Sequence, residues 1–145
     1  MRHHQLTRYE SVLASPRMYD TTTFLNVDLD LTSHEDLAPL ADALRRQVHA
    51  LHVGRVGRWY QARFELNGHP RTPDSAIRRL AGAIQQLPPR ERARWNRAAR
   101  RDFNIGIQAA ERPHCTEFPI QPPTVALVGK IGGRIVLTVY GSSLA

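Results

Sequence analysis

Two aspartates, Asp28 and Asp30, stand two residues apart in a stretch that alternates apolar and polar side chains. In an extended strand that spacing puts both carboxylates on one face, roughly 6–7 Å apart. Paired carboxylates can hold Mg2+ or divide the work of general acid and base. Alternation alone also predicts polar residues there, as the solvated side of an amphipathic strand, and this plainer account is preferred. Should that face bind a basic partner, the two acids would be central to it.

Cys115 follows His114 and suggests a thiol nucleophile. Activation needs a base within hydrogen-bond reach, and neighbouring side chains in an extended segment point apart, so the cysteine is read as inert. The chain has seven histidines, but His3-His4, His49, His52 and His114 show no paired spacing of the kind that closes a zinc site. Gly129, Gly132 and Gly133 end a helical pattern, whereas a phosphate cradle precedes one. No metal or cofactor is expected. An enzymatic role is set aside for want of a nucleophile–base pair.

The sharpest charge feature runs from Arg90 to Arg101, with six arginines against the single acid Glu91. Arg90, Arg94, Arg97 and Arg101 recur at helical spacing and are expected to share one face. Such a stripe could follow a phosphate backbone, face an acidic protein surface, or simply be solvated. The formal net charge of +7 invites the first two readings. Lys130 is the only lysine, however, a bias expected of a GC-rich coding sequence. A single cysteine forbids an internal disulfide and suits a reducing cytoplasm. No run reaches the ~18 apolar residues of a membrane span, and no signal-peptide core opens the chain. A cytoplasmic protein without a membrane partner is expected.

The elements that must position these residues follow from hydrophobic period. Residues 1–21 show none and are read as a flexible arm, with translation from Met18 as an alternative start; residues 22–145 form one domain. A strand over Thr23–Leu31 points Leu25, Val27, Leu29 and Leu31 inward. Ser33 offers an N-cap for a helix reaching about Val48, with Leu37, Leu40, Ala41, Leu44 and Val48 as its stripe. Strands over Ala50–Val56 (Leu51 and Val53 inward) and Arg58–Leu66 form a hairpin around Gly57. Thr72-Pro73-Asp74 starts a helix buried through Ile77, Leu80, Ala81, Ile84 and Leu87. Pro88-Pro89 opens a shorter helix to about Arg101, pinned by Trp95. A strand over Asp102–Ala109, a short extended piece over Glu117–Ile120, a helix from Pro122 with Val125, Val128 and Ile131 inward, and a strand over Arg134–Tyr140 burying Ile135, Leu137 and Val139 complete the chain.

The order spells an α+β fold: a ferredoxin-like βαββαβ core extended by an αβ unit. Right-handed crossovers place the helices on one face of the sheet and leave the other open. That open face carries Asp28, Asp30, Trp59, Gln61, Arg63 and Tyr140. RNA-recognition modules share this layout but place aromatics on the central strands, and here Asn104, Gly106 and Gln108 stand there instead.

The second half resembles small bacterial proteins associated with immunity to polymorphic toxins. The resemblance is carried by Leu87-Pro88-Pro89, Trp95, Arg101 to Ile107, Phe118-Pro119-Ile120, Pro123-Thr124-Val125 and Ile135 to Tyr140. It implies a non-enzymatic inhibitor that binds a cognate toxin. The positive charge departs from inhibitors of nucleases, which tend to be acidic, and implies a toxin with an acidic or mixed surface. The expected partner-binding residues are Asp28, Asp30, Trp59, Arg63 and Tyr140 on the sheet, since aromatics and arginine anchor interfaces. Arg94, Arg97 and Arg101 come second. The alternative is a nucleic-acid-associated protein using that arginine stripe.

Overall fold

The computed structural model describes residues 19–142. Met18 and most of the expected arm lie outside that range, but Thr21 and Thr22 already belong to the body. Thr21 bridges to Arg112, and the Thr22 amide donates to the Arg112 carbonyl at 2.8 Å.

In chain order the elements are β1 (Thr23–Ser33), α1 (Ala38–Leu44), β2 (Val48–Val56), β3 (Trp59–Leu66), α2 (Pro73–Gln85), α3 (Pro89–Arg97), β4 (Arg100–Gln108), α4 (Pro122–Lys130) and β5 (Arg134–Tyr140). They form a mixed five-stranded sheet in the order β2-β3-β1-β4-β5. All pairings are antiparallel except β4 with β5, which the α4 crossover makes parallel. The first four strands have the ferredoxin-like order, β5 extends the sheet beyond β4, and the sheet stays open.

The core lies between the helices and one sheet face. Val27, Leu29, Leu31, Phe64, Phe103 and Ile105 pack there against Leu40, Leu44, Ile77, Leu80, Ile84 and Val128. Trp95 is fully buried, and its indole Nε1 donates to the Ile131 carbonyl at 2.8 Å, which fixes α3 to the end of α4. Thr72 caps α2 by accepting from the Ser75 amide at 3.1 Å.

Several local expectations are corrected. Ser33 ends β1 and is no helix cap; α1 starts later, at Ala38, and Val48 opens β2. Register shifts in β1 and β2 change which side chains turn inward: Phe24 packs on the core next to the shift that displaces Leu25, and Ala50 does so in place of Leu51, while Val53 packs inward as expected. One extra residue re-aims a strand locally, which alternation cannot anticipate. Helix α3 stops at Arg97, so Arg101 lies on β4. The segment Glu117–Ile120 forms no strand, although Phe118 and Ile120 pack on the core. In α4, Thr124 is buried while Val125 is half exposed. The largest correction concerns β5: Ile135, Leu137 and Val139 share the helix-side face but are 37%, 65% and 59% exposed. No described helix is long and apolar enough to cross a membrane.

Candidate functional site

Strand register builds the open face row by row. One row reads His52, Arg63, Asp30, Asp102 and Arg134 from β2 to β5. The Arg63 Nε donates to Asp30 Oδ1 at 2.8 Å. Arg134 grips Asp102 with both prongs, Nε to Oδ1 at 2.9 Å and Nη2 to Oδ2 at 2.8 Å. Bidentate geometry of this kind combines charge with orientation, and it raises the Arg134 pKa further above its ordinary value. Arg100 stands 3.8 Å from the same Asp102 carboxylate. The next row holds Glu65, Asp28 and Asn104. Asp28 is buried and its Oδ1 accepts from the Asn26 side-chain Nδ2 at 2.8 Å, and the Thr138 hydroxyl donates to Asn104 Oδ1 at 2.7 Å.

Asp28 and Asp30 therefore do different things. Asp28 lies below the surface and supports the face, while Asp30 holds Arg63 at it. Among the described residues no group of three or more His, Cys, Asp or Glu side chains is placed to hold a metal ion. The Asp30 row borders an open recess of about 390 Å3, lined in part by Asp30, His52, Gln61, Arg63, Arg100 and Asp102. Its walls alternate in charge, which suits a partner bearing both signs.

Trp59 sits at one corner of the face. The His34 ring stacks on it with centroids 3.9 Å apart and planes 27° from parallel. Tyr140 lies at the opposite end of the sheet. Register carries the distance through β1 from Ser33, opposite Tyr60, to Thr23, whose partner Gln108 pairs with Tyr140. That is roughly 30 Å along the strands. The sheet thus brings Asp28, Asp30 and Arg63 together, places Trp59 near one end of them, and leaves Tyr140 apart.

No family model, curated protein or solved structure matches this chain.

The arginine stripe is divided in the same way. Arg97 donates to both Glu35 oxygens, at 3.1 and 2.9 Å. Arg94 reaches Glu91 at 3.1 Å, Glu35 at 3.4 Å and the Asp36 carbonyl at 3.0 Å. The Arg97 hydrogen bond, with the charges of both guanidiniums, holds the Glu35 carboxyl below the usual range against its desolvation. Arg101 reaches back from β4 to three carbonyls, those of Gly132, Trp95 and Asn96, at 2.9, 3.2 and 2.7 Å. A cation at the C-terminus of α3 is also favoured by the helix dipole. These arginines lock α3 to the β1–α1 turn and to the α4–β5 turn. Sequence reasoning missed His34, Glu35, Asp102 and Arg134. Only the last pair left a signal, as opposite charges at the starts of two strands joined by a crossover.

Proposed function

We propose that this chain is a non-enzymatic binding protein whose open sheet face engages a protein partner, and that this partner is a bacterial toxin which it neutralises as an immunity protein. The observation that carries the reading is the braced face itself. Arg63 is held on Asp30 beside an open recess, and Trp59 is held under His34. Side chains fixed before binding lose less entropy on association, and Trp and Arg are the usual anchors of interfaces. A rigid inhibitor needs nothing more than such a surface. A nucleic-acid role for Arg94, Arg97 and Arg101 is less well supported, because these guanidiniums are committed within the fold.

The test is affinity purification of the tagged chain from its source cells, with nuclease and at raised salt, beside a Trp59→Ala/Arg63→Ala variant. One stoichiometric protein that survives both treatments and is lost with the variant is the expected result, and co-expression of this chain should relieve that protein's toxicity. Retention of the partner by the variant would remove the sheet face from the proposal. Capture that disappears with nuclease would favour the nucleic-acid reading.

A further inference from the structure

The two edges of the sheet are guarded differently. Edge strand β2 carries a register shift between Ala50 and His52, and His49, His52 and Arg55 along its length. A bulge, polar side chains and a charge such as Arg55 discourage pairing with another chain. Edge strand β5, Arg134–Tyr140, has no bulge, and its one charge, Arg134, stands at its start and is held on Asp102. Its pairing with β4 is regular throughout, and from Ile135 to Tyr140 it contains no charge and no proline. Ile135, Leu137 and Val139 are exposed on one face.

We infer that β5 pairs antiparallel with β5 of a second copy, joining two sheets into one across a two-fold axis at Leu137. The strand's own sequence is the first support. Antiparallel pairing centred on Leu137 sets Ile135 opposite the partner's Val139 and Val136 opposite the partner's Thr138. Leu137 meets its own counterpart. Each pairing matches β-branched or apolar groups, the combinations that stabilise sheets.

Backbone direction is the second support. The Tyr140 carbonyl faces β4, accepting from the Ala109 amide at 2.9 Å. Alternation then turns the amides and carbonyls of Ile135, Leu137 and Val139 outward. These are the residues that the Leu137-centred register makes into hydrogen-bonded pairs, each exchanging both backbone bonds.

Charge is the third. The chain is strongly positive, so copies should repel. The one cation on β5, Arg134, is already matched by Asp102, and the register sets it opposite the partner's Tyr140, where a guanidinium can rest against a ring. The axis therefore carries no unmatched cation. A pairing of seven residues is about 23 Å long. It falls short of the roughly 1,600 Å2 of a standard stable interface, so the dimer is expected to dissociate in the micromolar range.

Sedimentation velocity of the full chain across micromolar concentrations tests this. The expected result is a reversible monomer–dimer equilibrium that Leu137→Lys abolishes; because Leu137 is mostly exposed, that variant should stay folded, as circular dichroism would verify. Register is tested separately on a Cys115→Ser background. Leu137→Cys should form a disulfide-linked dimer on oxidation. Ile135→Cys alone should not, and Ile135→Cys with Val139→Cys should. A chain that stays monomeric throughout, a dimer indifferent to Leu137→Lys, or equal cross-linking at 135 and 137 would each overturn the inference. A monomer whose β5 amides are nonetheless protected from hydrogen exchange would assign the edge to another segment of the same chain. None of these outcomes bears on the open-face proposal, which the partner-binding variant tests separately.

Discussion

Removing the Glu35 carboxylate would release one guanidinium and loosen a second. Arg94 keeps Glu91 and the Asp36 carbonyl, but Arg97 loses its side-chain partner. Glu35→Ala is expected to cost little stability, below about 1 kcal/mol, because water and salt screen such partly exposed pairs. Retention on a heparin column should rise, since a freed arginine and one fewer acid strengthen attraction for polyanions. Unchanged retention would mean that the stripe has no latent phosphate affinity even when unlocked. Asp74 is a second residue whose role titrates. Its buried carboxylate accepts from the Gln121 amide at 2.9 Å and from Arg78 at 3.1 Å, tying the start of α4 to the start of α2. The Gln121 amide first, then the Thr124 hydroxyl, hold its carboxyl below the usual aspartate range. Asp74→Ala should cost about 2 kcal/mol in urea denaturation, as charge-assisted bonds are lost. The folded chain binds this proton less readily than the unfolded chain, so the stabilisation is complete above about pH 4 and is lost as pH falls through the lowered pKa. The gap between wild type and variant should therefore narrow in acid, and a gap independent of pH would reject this account.

The turn between α4 and β5 shows how tightly one element constrains the next. A Cβ on Gly133 would stand 2.5 Å from the Phe103 ring and 3.0 Å from Val128, both fully or nearly fully buried. Neither can yield without disturbing the core, so Gly133→Ala is expected to destabilise by about 2–3 kcal/mol, more than Gly132→Ala. Gly132, at φ +74°, should lose about 1 kcal/mol as alanine, mainly through backbone strain. Thermal melts of the two variants would separate the effects, and equal losses would contradict the packing argument. Such close approaches are invisible to hydrophobic period, which shows a glycine pair only as a stop. The β-strand order, the α2 stripe and its Thr72 cap were all legible, because periods of 2 and 3.6 and a capping residue are local properties. The start of α1 was not, since Ser33 has the chemistry of a cap but stays within the β1 ladder. The exposure of β5 was not legible either. Alternation states which way Leu137 points, not whether a helix lies over it. A nine-residue α4 is only about 13 Å long, and it turns Thr124 and Val128 inward rather than shielding the strand. The candidate site was legible as a face and as Arg63 on it. Its bracing by His34 and Arg134 depends on turn geometry and cross-strand register that spacing along the chain does not encode.

At the scale of the whole molecule, a formal charge of +7 acts over distances that individual ion pairs do not. Arg63, Arg94, Arg97, Arg100 and Arg134 are bound up locally with Asp30, Glu35 and Asp102, yet those contacts leave the excess in place, and it sets the long-range field. An acidic or mixed partner surface would be steered toward this chain, which speeds encounter more than it holds the complex. Dissociation should instead depend on the packed contacts of the open face, where Trp59 and Arg63 are braced. Surface plasmon resonance against the purified partner is therefore expected to show an association rate that falls as salt rises and a dissociation rate that barely changes. Trp59→Ala should do the reverse, accelerating dissociation at every salt concentration while leaving the association rate within about threefold. Binding to a phosphate backbone has another signature, since the logarithm of affinity falls linearly with that of salt, by roughly 0.9 for each phosphate neutralised on a duplex. A steep slope of that kind, insensitive to Trp59→Ala, would move the proposed binding from the sheet face to the arginines.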